Sequence, residues 1–184
     1  MSVTVITGKQ NSGKSLRAEE LAFSYGKPLF YLATMKVMDD EGRKRVEKHR
    51  RQREGKGFVT IECEYGIRKV PDMIMDYLDA GEQKQSRMIG ATILLECATN
   101  LVGNELYDNP DRSWSDDPMK ADPEEFVRVI MDDIRYLADR AGNLVIVSGE
   151  YELNEDADEG TRLFIRLLDM VNRELQASFT DPCS

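Results

Sequence analysis

Cysteine, histidine and tryptophan are all scarce in this chain: three Cys, one His (His49) and one Trp (Trp114) among 184 residues. Cys63, Cys97 and Cys183 form no C-x-x-C pair. An odd, unpatterned set argues against a disulfide frame and against a cysteine zinc site, and points to reduced thiols in a cytoplasmic protein. Positive charge is also in deficit. Lys and Arg number 25 against 34 Asp and Glu, a net charge of −9, which excludes a general binder of nucleic acid or anionic membranes. No apolar run approaches the ~20 residues that span a bilayer. The N-terminus enters an apolar stretch directly, without a signal-peptide layout. Internal repeats and low-complexity segments are absent as well. What remains is the composition of a globular chain, 41% hydrophobic and 32% charged, long enough for one domain with a sizeable core over residues 1–184.

The strongest pattern present is Gly8-Lys9-Gln10-Asn11-Ser12-Gly13-Lys14-Ser15, which fits the phosphate-binding loop G-x-x-x-x-G-K-[ST]. Val3-Thr4-Val5-Ile6-Thr7 before it predicts a buried strand, and Leu16 to Ala22 after it predicts a helix. Strand, glycine-bounded loop and helix are the context in which successive backbone N–H groups face one anion at a helix N-terminus. Lys14 is then placed to reach the outer phosphates, and the Ser15 hydroxyl to ligate Mg²⁺. An overall acidic chain that holds an anionic nucleotide needs a locally positive site.

Apolar stretches at 28–34, 58–62, 91–97 and 144–150 predict further strands, and helices are expected near 39–53, 70–78, 123–141 and 161–177. Ile74, Tyr77 and Leu78 are expected on one face of their helix. The alternation implies an α/β fold: a mostly parallel sheet with helices on both faces and ligands at the carboxyl ends of the strands. Two strands end in an acid, Glu96 and Glu150. Each acid is a candidate Mg²⁺ neighbour or an ordinary solvated strand end. Residues 109–123 hold three of the six prolines, Trp114, and Asp111, Asp116 and Asp117. They predict a long surface loop, either a lid or a plain linker.

The densest basic run, Arg43 to Arg53, contains His49. A lone histidine in a charged helix is by itself as well explained as an exposed bystander. Three stretches add more. Tyr31-Leu32-Ala33-Thr34 precedes Asp39-Asp40-Glu41, then Arg45-Val46-Glu47-Lys48-His49-Arg50 with Arg53, then Thr60-Ile61-Glu62. Leu94-Leu95-Glu96-Cys97-Ala98-Thr99-Asn100-Leu101-Val102-Gly103-Asn104-Glu105-Leu106 is the second, and Val171-Asn172-Arg173-Glu174-Leu175 the third. Together with the loop, these resemble the bifunctional adenosylcobinamide kinase/adenosylcobinamide-phosphate guanylyltransferase family of cobalamin biosynthesis.

The resemblance implies a P-loop, RecA-like fold, a trimer, and two activities. One phosphorylates adenosylcobinamide, a corrinoid, with ATP or GTP. The other transfers GMP from GTP through a guanylylated histidine, whose matching position is His49. It further implies that Thr34, Met35, Lys36, Arg53, Glu62 and Glu96 lie near the nucleotide. The sequence departs from the family pattern at Lys9, Asn11 and Glu54, after the strand at 144–148, and in its tail, which lacks an apolar run for a last strand. Two other readings therefore stand beside it: a nucleotide-binding homologue with a regulatory role, and a kinase for a different small hydroxyl substrate.

Overall fold

The computed structural model of the chain describes residues 2–26, 28–37, 40–79 and 90–179, and only the backbone of residues 41, 45, 48, 49, 52 and 79. Asp39 and Cys183 lie outside the described residues. Among the described residues five strands form one all-parallel sheet: β1 (Ser2–Gly8), β2 (Leu29–Ala33), β3 (Phe58–Glu62), β4 (Thr92–Glu96) and β5 (Asn143–Gly149). Their order is β1-β5-β4-β2-β3. The residues of β2 and β4 are buried on both faces up to the last position of each, as expected of central strands in a parallel sheet. The register pairs Gly8 with Gly149, and Ala33 with both Glu96 and Glu62, so the ends that carry the polar residues lie together.

Alternation along the strands divides the core in two. Phe30, Leu32, Ile93, Leu95, Leu144 and Ile146 face one side. There they meet α3 (Val70–Asp79), α4 (Ala98–Tyr107), α5 (Pro123–Ala138) and α6 (Glu159–Phe179). Ile6, Tyr31, Leu94, Val145 and Val147 face the other side, against Ala18 and Ala22 of α1 (Lys14–Ser24). Both alanines are fully buried, and with no side chain beyond Cβ they let α1 lie close on the sheet. The remaining helix, α2 (Asp40–Arg53), follows β2. Just after it, Lys56 reaches back to the buried carboxylate of Glu19 on α1 at 2.8 Å.

Capping sets two helix starts. Asp122 accepts from the Glu125 N–H at 2.8 Å with Pro123 as the first helical residue. Asp158 accepts from the Thr161 N–H at 2.7 Å, so α6 begins two residues before the predicted Thr161. Among the described residues no helix is long and apolar enough to cross a membrane.

Two sequence expectations are corrected. Tyr77 does not join the buried face of α3. It is 51% exposed and meets Phe30 only edge-on, centroids 6.0 Å apart, while Val70, Ile74 and Leu78 take the buried positions. The stretch from Asn109 is neither a lid nor a plain linker, because Trp114 and Asn109 are buried. The Trp114 ring packs on Phe126 at 5.1 Å and its Nε1–H donates to the Glu105 carbonyl at 3.0 Å. The Glu105 carboxylate accepts from Arg112 Nε (2.6 Å), Asn109 Nδ2 (2.8 Å) and the Gly66 N–H (2.7 Å). Arg112 also bonds Asp133 of α5 at 3.0 Å. A loop that supplies one arm of a buried ionic network cannot swing freely.

Candidate functional site

The loop from Gly8 to Ser15 connects β1 to α1 in the conformation its glycines predict. Gly13 sits at φ 82° as the residue capping α1, and Asn11 takes φ 61°, a left-handed value that asparagine tolerates better than most. Gln10, Asn11 and Ser12 are exposed at the crest. A Cβ on Gly8 would lie 2.9 Å from Ser12 Oγ, so only glycine lets the chain fold back here. The Lys9 carbonyl accepts from the Ser12 N–H at 3.3 Å and from the Lys14 ammonium at 3.1 Å. The Lys9 ammonium itself pairs with Glu152 at 2.6 Å.

At the foot of the loop the Ser15 hydroxyl donates to Glu96 Oε1 at 2.8 Å. Glu96 Oε2 is buried and has no hydrogen-bond partner. Burial pushes the Glu96 carboxyl up to about 7, against the pull of the Ser15 hydrogen bond and the Lys14 charge. A hydroxyl and a carboxylate with a spare, buried oxygen are hard donors suited to Mg²⁺, which takes few protein ligands and completes its shell with phosphate oxygens and water. Among the described residues no group of three or more His, Cys, Asp or Glu forms a metal cluster. The other strand-end acid, Glu150, is exposed beside the loop mouth and does not join Ser15.

Beyond Glu96 opens a cavity of about 720 Å³ between the carboxyl ends of β2 and β3 and the helix α2. Met35, Glu62 and Glu96 line it, together with Arg43, Arg50 and Arg53 of α2. Arg53 is only 7% exposed. Its guanidinium lies 3.3 Å over the Tyr31 ring, and its NH1 is buried without a hydrogen-bond partner. A cation fixed against an aromatic face, with a donor left over, is poised for an anion or a carbonyl. Glu62 is held by Arg50 at 2.9 Å.

Thr34 and Lys36 are placed differently. Thr34 is fully buried, and its hydroxyl both donates to the Cys97 carbonyl and accepts from the Cys97 N–H, each at 2.8 Å. It therefore steadies the chain just after Glu96. The Lys36 ammonium is held by Asp108 at 2.9 Å, away from the cavity lining. The side chain of His49 lies outside the described residues. Its backbone is within α2, three residues after Val46 and four before Arg53, both of which line the cavity. The Cys63 and Cys97 thiols are free, with burial pushing both up, Cys97 to about 11, so neither is a ready nucleophile.

The sequence reading quoted three residues of this region within its resembling stretches but gave none of them a role. Tyr31 forms the floor under Arg53, and an aromatic facing the α1 side one strand position from Leu32 was the available signal. Thr99 and Asn172 hold the two backbone groups of Gly149, the N–H to Thr99 Oγ1 at 2.7 Å and the carbonyl from Asn172 Nδ2 at 2.9 Å. No local pattern marks either contact, since the partners lie 50 and 23 residues apart.

Comparison with known proteins agrees with this geometry. The family described as CobU, cobinamide kinase / cobinamide phosphate guanyltransferase, matches residues 4–181. A protein of Escherichia coli (strain K12) named bifunctional adenosylcobalamin biosynthesis protein CobU is 33% identical over 104 residues, 56% of this chain and 50% of the relative. Its namesake in Salmonella typhimurium (strain LT2) is 31% identical over 133 residues, 72% of this chain and 64% of the relative. The matches thus span about half to just under two thirds of the length of these relatives. With a family match over residues 4–181, on a parallel sheet whose first helix follows a G-x-x-x-x-G-K-[ST] loop, the chain belongs to the CobU family.

Proposed function

We propose that this protein is a nucleotide-dependent kinase and guanylyltransferase acting on a cobinamide-type corrinoid in cobalamin biosynthesis. The observation that carries the reading is the Ser15–Glu96 pair, with its unpartnered buried oxygen, at the junction of the phosphate loop and the arginine-lined cavity. In this reading the backbone of Gly8 to Ser15 and the Lys14 ammonium hold the phosphates of GTP or ATP, and Ser15 and Glu96 hold Mg²⁺. Mg²⁺ supplies charge neutralisation between the phosphates. Met35, Arg53 and Glu62 line the nucleotide pocket, Thr34 acts through Cys97, and Lys36 acts from its Asp108 anchor.

His49 is the nucleophile of the transfer half-reaction. A neutral imidazole nitrogen forms the bond to the α-phosphorus of GTP, the α–β anhydride breaks, pyrophosphate leaves, and the ring proton passes to solvent. The position of His49 on α2, three residues after Val46 and four before Arg53, which both line the cavity, supports this role. Arg43, Arg50 and Arg53 are placed to stabilise charge on the phosphoryl oxygens. The protein works in the cytoplasm as a homotrimer, in which a neighbouring subunit covers an edge of the sheet at β1 or β3.

Intact-protein mass spectrometry after incubation with GTP and Mg²⁺ tests this. The expected result is one GMP adduct, acid-labile and alkali-stable as a phosphoramidate, absent in His49→Asn. Labelling falls at acid pH, because only the neutral ring is a nucleophile. GTP bound without any adduct would reject the transfer step, and an adduct surviving in His49→Asn would show that another residue is the nucleophile.

A further inference from the structure

The segment after β5 is fastened to the phosphate loop. Both backbone groups of Gly149 are held by the buried side chains of Thr99 and Asn172. A Cβ at Gly149 would lie 2.7 Å from the Tyr151 ring and 3.0 Å from Thr99 Oγ1, so the chain passes closest to α4 where it has no side chain. The next N–H, of Glu150, donates to the Gly8 carbonyl at 3.0 Å, which ties the segment to the first residue of the phosphate loop. Two residues on, Glu152 reaches Lys9 at 2.6 Å.

Both lysines of the loop are therefore engaged by protein oxygens. Lys14 sits on the Lys9 carbonyl, and Lys9 sits on the Glu152 carboxylate. The second contact is the more easily exchanged. Its side chains are 72% and 84% exposed, and ion pairs in such positions contribute little and are screened by salt. Glu150 adds its own attraction for the Lys9 charge from the same segment.

We propose that Lys9 is a second phosphate-binding cation held in reserve by Glu152, and that an incoming nucleoside triphosphate exchanges that carboxylate for a phosphate oxygen. This rests on the nucleotide reading given above. Glu152 then acts as a specificity determinant. To win Lys9 a ligand must place a phosphate oxygen where the Glu152 carboxylate now sits, so the pair favours a triphosphate chain long enough to reach Lys9 over a single phosphate. The anchoring at Gly149 and Glu150 keeps the displaced carboxylate near the loop, ready to return when the product leaves.

Isothermal titration of Mg²⁺–GTP and of GMP into wild type, Glu152→Gln, Lys9→Gln and the double variant tests the exchange. Both substitutions are at exposed positions, and matched melting curves without ligand check that each variant is folded. Glu152→Gln is expected to tighten GTP about two- to fivefold, the range that releasing an exposed ion pair allows, and to leave GMP unchanged. Lys9→Gln should weaken GTP, and Glu152→Gln should bring no gain in that background. GTP bound by wild type but no tighter by Glu152→Gln overturns the exchange alone. A gain that persists with Lys9→Gln, or that extends equally to GMP, also overturns it, because it marks a general field effect. No binding of GTP by any of the four overturns the nucleotide reading and the exchange with it.

Discussion

Glu105→Gln removes one charge and almost no volume from a residue that is 1% exposed. Every neighbour of its carboxylate is a donor: the Gly66 N–H on Oε1, and Arg112 Nε with Asn109 Nδ2 on Oε2. A glutamine must aim its own NH₂ at one of these sets, so at least one contact becomes donor against donor. The network also loses its balance, because Arg112 and Arg68 are then answered by Asp133 alone. A lost charge-assisted hydrogen bond costs about 1.5–3 kcal/mol, and breaking a buried pair about 3–5 kcal/mol. A loss of about 3–4 kcal/mol is therefore expected, a large share of a typical stability of about 5–15 kcal/mol. At about 2–4 °C per kcal/mol for a chain of this size, the melting temperature falls by about 6–16 °C. Urea and thermal unfolding followed by tryptophan fluorescence suit the question, since the only tryptophan, Trp114, bonds to the Glu105 carbonyl. Adding Arg112→Met should cost less than the sum of the two single changes, with a coupling of about 1–3 kcal/mol. A loss below about 1 kcal/mol, with unchanged Trp114 emission, would refute the view that this network pins the 109–117 segment.

Lys14→Ala should abolish stabilisation by nucleotide: Mg²⁺–GTP at a hundred times its dissociation constant stabilises a binder by about 2.7 kcal/mol, a rise of about 5–10 °C by thermal shift, and equal rises in wild type and variant would sink the phosphate-loop assignment. Gly149→Ala presses a methyl on the Tyr151 ring and Thr99 Oγ1, so a loss of about 1–3 kcal/mol in urea unfolding and weaker GTP binding are expected; unchanged values of both would remove Gly149 from the support of the loop. Light scattering at micromolar concentration should return three times the 21.0 kDa chain mass, and a clean monomer would count against the proposed trimer.

Much of the fold was legible in the chain. β2 and β4 announced themselves as unbroken apolar runs, and α5 begins at Pro123, where the helix expected over 123–141 was read to start. The loop of Gly8 to Ser15 was readable because its motif is contained in eight consecutive residues between a strand and a helix. These signals act over a few residues, through side-chain periodicity, caps and backbone sterics, so a single sequence carries them whole. Even the two candidate acids, Glu96 and Glu150, were identifiable as strand ends.

Only the tertiary structure shows which of them meets Ser15. β5 is the neighbour of β1, which on sequence grounds favours neither acid. Yet α1 packs Ala18 and Ala22 against Val145, Val147, Leu94 and Tyr31, so it runs from β1 across β5 toward β4. Its first turn therefore presents Ser15 to Glu96, while Glu150 is left at the exposed loop mouth. The same holds for Lys9 and Glu152, 143 residues apart, and for the burial of Trp114 under α5. Strand order and helix direction are collective outcomes of which apolar faces can be buried together. Which polar groups then meet at the sheet's edge is settled by that packing, and no local run of residues encodes it.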